Sequence, residues 1–224
     1  MMGATLNKAL AAACLLCLVL PGVGALRAET LDSLKRTYSG LNTVEAHFRQ
    51  EIFLTSLKRQ RHMEGDFFYK RGKGFLWRYT APKEKVFLYD GSAVWQAEAD
   101  KPYVTKDKVD RQKMEGSFLD LVDDVARLDA IFTLKGSERE DDMEALDLLP
   151  RKEGMLKSAR VWVDAKGIVR RIKIVEITGN VNIIEFSSIK TGVALPDSLF
   201  VFKPDGREVI DSHGERMTRH PGAE

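Results

Sequence analysis

The stretch Val44-Glu45-Ala46-His47-Phe48-Arg49-Gln50-Glu51-Ile52-Phe53-Leu54 decides the fold. Its even positions are mostly apolar and its odd positions mostly polar. A period of two sends these sets to opposite faces of an extended chain, one buried and one wet. The pattern continues downstream. Between Arg61 and Tyr69, the residues Met63, Gly65, Phe67 and Tyr69 share a face, with Phe68 on the other. Phe75, Trp77 and Tyr79 alternate again before Pro82. Val86-Phe87-Leu88-Tyr89 is apolar on both faces, Asp90-Gly91 is a hairpin-turn signal, and Val94-Trp95 opens the returning strand. Residues 44–97 therefore read as a meander of short strands.

Upstream, Leu31, Leu34, Tyr38 and Leu41 recur at helical spacing, so 30–41 reads as a short amphipathic helix. Gly40 and Asn42 suit its end. The chain begins differently. Lys8 precedes an apolar run from Ala9 to Leu20, Pro21-Gly22 breaks it, and small residues follow through Ala25 and Ala28. That is the layout of a secretory signal peptide over residues 1–28, cleaved after Ala25 or Ala28. The run is short for a membrane anchor, which needs about 20 residues. Cys14 and Cys17 lie inside it and lack the setting of a lipid-modified cysteine, so the mature chain keeps no thiol.

Beyond the meander, 100–116 reads as a charged loop. Ser117 suits a helix N-cap, with Asp120 at the capping-box position, and Phe118, Leu119, Leu121, Val122, Val125 and Leu128 form a broad apolar stripe after it. Strands resume at 130–134, 146–149, 159–163, 168–177 and 181–189, with turns at Asp164-Ala165-Lys166-Gly167 and Gly179-Asn180. A last strand is expected at Leu199–Phe202. The domain is expected to span 29–211, followed by a polar flexible tail over 212–224. Strands joined by hairpins imply an antiparallel sheet, and about ten of them imply one that curls or closes. Two helices remain to bury their stripes against it.

Composition excludes more than it assigns. Loss of Lys8 and Arg27 with the leader leaves 33 basic residues against 33 acidic ones. A neutral chain without a basic block argues against nucleic acid as a partner. His47, His62, His213 and His220 show no metal-ligand spacing. The acidic group Glu138, Glu140, Asp141, Asp142 and Glu144 matches no calcium loop and reads as a solvated turn, while Asp123-Asp124 reads as a helix's wet face. No nucleophile elbow or phosphate-cradling glycine loop is present. The expectation is a binding protein, with no catalytic residues, no metal and no cofactor. Strands apolar on both faces leave two readings open: a sandwich core, or an apolar cavity.

Gly65-Asp66-Phe67-Phe68-Tyr69-Lys70-Arg71-Gly72-Lys73-Gly74-Phe75-Leu76-Trp77-Arg78-Tyr79 with Thr80-Ala81-Pro82 resembles the outer-membrane lipoprotein carrier (LolA) family. So do Phe48-x-Gln50, Tyr89-Asp90-Gly91 with Val94-Trp95, and Leu199-Phe200-Val201-Phe202-Lys203-Pro204. The resemblance implies a mainly β fold with helices: an incomplete antiparallel β-barrel covered by a helical lid enclosing an apolar cavity. It implies a monomeric periplasmic carrier of acylated lipoproteins in a Gram-negative bacterium, loaded by an inner-membrane ABC exporter and unloaded to an outer-membrane acceptor lipoprotein. It implies Arg71 as the latch between barrel and lid. Phe48, Phe67, Phe75, Trp77, Val86, Leu88, Trp95, Phe118, Leu121 and Val122 are the expected cavity residues. Gly72 departs from the family pattern, which usually has proline there. A carrier of another lipid or glycolipid, or a lipoprotein-sensing module, would fit the same residues.

Overall fold

A computed structural model describes residues 23–109 and 128–216 of the 224-residue chain, with side chains from residue 31 onward. Residues 1–22 of the leader expected over 1–28, the helix expected from Ser117 with Phe118, Leu121 and Val122, and residues 217–224 of the expected tail lie outside the described residues. The first helix, α1, runs over Val23–Gly40 and so begins earlier than expected, passing through both candidate cleavage positions.

The meander then forms as read. It consists of β1 (Thr43–Leu54), β2 (Arg59–Lys70), β3 (Gly74–Ala81), β4 (Lys85–Tyr89) and β5 (Ala93–Glu98), each antiparallel to the next. Gly65 is required at its place. A Cβ there would lie 2.0 Å from the Arg78 carbonyl oxygen, where the β2–β3 register shifts at Glu64/Gly65. The charged stretch after Glu98 is not all loop. Tyr103–Lys108 forms β6 against β5, since Tyr103-Val104-Thr105 has strand-forming side chains that outweigh the charges after them.

After a single helical turn α2 (Leu128–Ile131), the chain makes β7 (Phe132–Glu140), β8 (Met143–Pro150), β9 (Leu156–Val163), β10 (Val169–Glu176) and β11 (Val181–Thr191). The expected strand at 130–134 thus starts later and runs further. Of the acidic group, only Asp141 and Asp142 lie in the turn. Glu138 and Glu140 stand on β7 and bind the Arg160 guanidinium.

Leu199–Phe202 is not a strand. Asp197–Phe200 is a 3-10 turn that buries Phe200. The last strand is β12 (Glu208–Ile210), which pairs in parallel with β6 and is the one exception to the antiparallel rule among the described pairs. Residues 212–216 are folded rather than loose. The Asp211 carboxylate accepts the His213 and Glu215 amides, and Ser212 N–H donates to Asp107.

All twelve strands make one open sheet in the order β12-β6-β5-β4-β3-β2-β1-β11-β10-β9-β8-β7. One face carries two adjoining apolar clusters. Leu34 of α1 packs with Leu128, Phe132, Leu146, Val161, Ile172 and Ile174 over the β7–β10 half. Phe48, Phe67, Phe75, Trp77, Tyr89 and Ile184 form the second cluster over β1–β5 and β11. The register Ile172↔Ile184↔Gln50 puts both on the same side, and Phe186 packs against both. The opposite face is covered over β3–β5 by the segment 193–202, through Leu195 and Phe200.

Candidate functional site

The aromatic half of the first face is the candidate site. Alternation delivers its members: Phe48 from β1, Phe67 from β2, Phe75 and Trp77 from β3, and Phe87 and Tyr89 from β4. Phe48 meets Trp77 edge-on at 4.6 Å, Phe67 lies 4.7 Å from Trp77, and Phe75 stacks on Phe87 at 6.3 Å. Phe186 closes the row at 5.8 Å from both Phe67 and Trp77. These rings prefer tilted and edge contacts, which fill space while keeping the surface apolar. Tyr79 stands beside Phe48 at 5.1 Å, and burial pushes its hydroxyl pKa up to about 12, so it stays neutral here.

Val109 packs on this aromatic cluster, and Leu128 belongs to the neighbouring one. Val109 and Leu128 therefore lie on the same face. Gln50 is the one buried polar side chain on β1 of this face. Its amide donates to Asn182 at 2.9 Å, and its Oε1 finds no donor among the described residues.

Three expected cavity residues lie elsewhere. Val86, Leu88 and Trp95 point to the opposite face, where they pack with Leu76, Leu195 and Phe200. Leu88 and Trp95 are register partners, and they alternate with Phe87, Tyr89 and Val94 of the aromatic face. A strand apolar on both sides gives no sign of which side is which. That side is a core closed by 193–202. Trp95 stacks on Phe202 at 4.9 Å, and its indole N–H donates to Asp90 at 2.8 Å. Asp90 also accepts from Ser92 and Ala93. Burial opposes its ionisation, but the hydrogen bonds from Trp95, Ser92 and Ala93 outweigh it and hold the carboxyl below its usual range. The spacing from Asp90-Gly91 to Trp95 is thus a structural device: the turn aspartate fixes the tryptophan.

Arg71 sits in the β2–β3 turn and reaches the C-terminus of α1. Its Nη2 donates to the carbonyls of Tyr38 at 2.6 Å, Ser39 at 3.0 Å and Leu41 at 2.7 Å, and its Nε to Leu41 at 2.9 Å. These are carbonyls a helix end cannot satisfy internally, and a cation suits the negative end of the helix dipole. Gly72 follows with φ +72, a conformation closed to proline, so the departure from the family's proline has a backbone cause. The flanking Lys70 and Lys73 reach the other way. Both pair with Asp197 at 2.7 Å, and Lys70 also donates to the Leu195 carbonyl at 2.6 Å. One turn therefore fastens the helix on one side of the sheet and the C-terminal segment on the other. The sequence reading missed Asp197, because nothing local marks it as a lysine partner.

Among the described residues no cluster of His, Cys, Asp or Glu could hold a metal, and no helix is long and apolar enough to cross a membrane. A groove of about 630 Å³ involving Arg49, Glu51, His62, Trp162, Arg171 and Glu185 is lined by mixed charges and contrasts with the aromatic face.

An open antiparallel sheet with one broad aromatic face, joined to a helix by an arginine cap, defines an apolar-ligand-binding scaffold. The chain belongs to the outer membrane lipoprotein carrier protein LolA family, whose sequence profile matches residues 39–203. An outer-membrane lipoprotein carrier protein of Methylibium petroleiphilum is 30% identical over 203 residues, covering 90% of this chain and 96% of that one. A protein of the same name from Pseudomonas putida is 28% identical over 184 residues, covering 81% and 88%. An uncharacterized conserved protein of Thermus thermophilus shares the fold at 12% identity, with a TM-score of 0.53 over 82% of this chain and 98% of that one.

Proposed function

We propose that this protein is a periplasmic lipoprotein carrier, which takes up the acyl chains of lipoproteins leaving the inner membrane and delivers them to the outer membrane. The aromatic face of Phe48, Phe67, Phe75, Trp77 and Phe186 is the observation that carries this reading. The leader is removed after Ala25 or Ala28, an inner-membrane ABC exporter loads the carrier, and an outer-membrane acceptor lipoprotein unloads it. Phe118, Leu121 and Val122 are further candidate acyl-binding residues. No catalytic step is needed.

A carrier must release what it binds. Burying acyl chain gains ~0.8 kcal/mol per CH₂, so three long chains fully buried would amount to tens of kcal/mol. A counterweight is needed, and the Arg71 bonds to the α1 carbonyls are suited to supply part of it. Cargo entry that shifts α1 would break them, which lowers net affinity and favours transfer onward.

The test is native mass spectrometry of Arg71→Leu protein isolated from the periplasm. Bound acylated lipoproteins support the carrier reading. A bound free lipid or glycolipid moves the function to another envelope cargo, and an empty protein overturns cargo binding on this face.

A further inference from the structure

The end of the sheet remote from Arg71 carries an uncommitted apolar surface. Phe53 and Leu57 in the β1–β2 hairpin are 44% and 60% exposed, Ile177 in the β10–β11 turn 61%, and Met155 in the β8–β9 loop 62%. These are four of the five large hydrophobics exposed among the described residues. They are held side by side rather than scattered. Strands β2, β1, β11, β10, β9 and β8 are consecutive in the sheet, so their three connections line one end. Thr55 Oγ1 donates to the Gly179 carbonyl at 2.6 Å, Thr55 N–H to Asn180 Oδ1 at 3.2 Å, and Ile177 N–H to the Met155 carbonyl at 2.9 Å. In a chain with a net charge of only +2, cations gather here: Lys58, Arg59 and Arg61 follow Leu57, all are exposed, and none forms a salt bridge with a described residue.

We propose that this end is a membrane-contacting tip, which seats on anionic phospholipid with Leu57, Phe53, Ile177 and Met155 entering the interfacial layer. Exposed apolar side chains beside unpaired cations are the combination a lipid surface recognises: acyl boundary for the former, phosphate for the latter. A protein interface would call for a continuous, close-packed apolar core inside a polar rim. Here the apolar groups project from three short tips, which suits a fluid surface better. The tip would bring the carrier to a membrane without using the aromatic face, so a docked protein keeps that face free for cargo.

The test is flotation of the periplasmic protein with vesicles of phosphatidylethanolamine and phosphatidylglycerol, and with vesicles of phosphatidylcholine alone. Expected is salt-sensitive binding to the anionic vesicles. Leu57→Asp with Ile177→Asp should reduce it about tenfold or more, and Lys58→Glu with Arg59→Glu likewise. Val201→Asp, at an exposed apolar site in the C-terminal segment, should leave it unchanged. Prior saturation of the aromatic face with an apolar naphthylamine probe should also leave it unchanged, which separates the tip from the cargo site. The proposal is overturned by absence of flotation, by equal loss in Val201→Asp, or by loss on probe saturation. It is also overturned if the tip variants float normally yet fail to receive cargo from exporter-containing membranes, which would make the tip a protein contact.

Discussion

Lys70 Nζ lies 2.7 Å from Asp197 Oδ1, and through this pair the β2–β3 turn holds the segment that closes the second core of the sheet. Lys73 binds the other carboxylate oxygen at the same distance. Hydrogen bonds from Lys70 and then Lys73 hold the Asp197 carboxyl down to about 2, from an ordinary 3.8. A depressed carboxylate stabilises the fold above its unfolded value and loses that contribution as pH falls. The anchoring of 193–202 is therefore expected to be intact above pH 3.8 and to loosen as pH drops from 3.8 toward 2. Hydrogen exchange of that segment across this range measures it. Asp197→Asn should remove the pH dependence while leaving the remaining fold in place.

Arg71→Leu strips donors from the carbonyls of Tyr38, Ser39 and Leu41. The guanidinium is solvent-exposed, so the expected cost is small, about 1–2 kcal/mol. Exchange at 38–42 should quicken, and cargo-loaded protein should accumulate because the counterweight to binding is gone. Arg71→Lys should not restore the wild-type behaviour, since one ammonium cannot serve several carbonyls in a fixed fork. Normal exchange at 38–42 in Arg71→Leu would dismiss the cap.

Tyr38 and Tyr79 should ionise late in an alkaline titration. Burial raises Tyr38 and Tyr79 to about 12 from an ordinary 10. The raised group favours the folded state below its unfolded value, so its stabilisation is complete below pH 10 and disappears between 10 and about 12. Tyrosinate absorbance should rise for these two only as the protein unfolds. Tyr38→Phe should remove one of the late phases and cost about 1 kcal/mol, because the Tyr38 hydroxyl also accepts the Val169 N–H at 3.2 Å.

Phe75→Glu sets a carboxylate among Phe67, Phe87 and Tyr89, where ionisation is strongly penalised. Loss of apolar-probe binding is expected. Because Phe75 is fully buried, destabilisation is expected as well, and Phe75→Ala is the milder control at about 3–5 kcal/mol. Leu88→Ala, from the opposite face, should destabilise while leaving probe binding per folded molecule intact. Probe binding lost equally in Leu88→Ala would mean that the two faces are not separate.

Much of this was legible because a strand sorts side chains by parity. Phe48, Phe75 and Trp77 alternate with polar or smaller neighbours, and the structure unites them with Phe67. Val86, Leu88 and Trp95 were misplaced because β4 and the start of β5 are apolar on both sides, and only the distant segment 193–202 decides what covers the second side. Leu199–Phe202 has strand composition, yet it lies against a sheet face rather than beside a strand, and packing of Phe200 prevails over propensity. Tyr103–Lys108 was hidden by its charges, which an edge-proximal strand tolerates. The hydrogen bonds of Arg71 could not be inferred from spacing, since they join residues about thirty positions apart.

The sheet's failure to close has one further consequence. A ladder that does not meet its own end offers the last strand's free amides and carbonyls to any neighbouring molecule, the usual seed of aggregation. Here β7 ends the row, and it is armed against that. Its register slips between Leu134 and Gly136, and Lys135, Glu138, Arg139 and Glu140 stud its length. A second copy brought alongside would face an irregular backbone and a run of charged side chains. At the β7 end, strand-to-strand pairing is thus discouraged while the sheet stays unsealed.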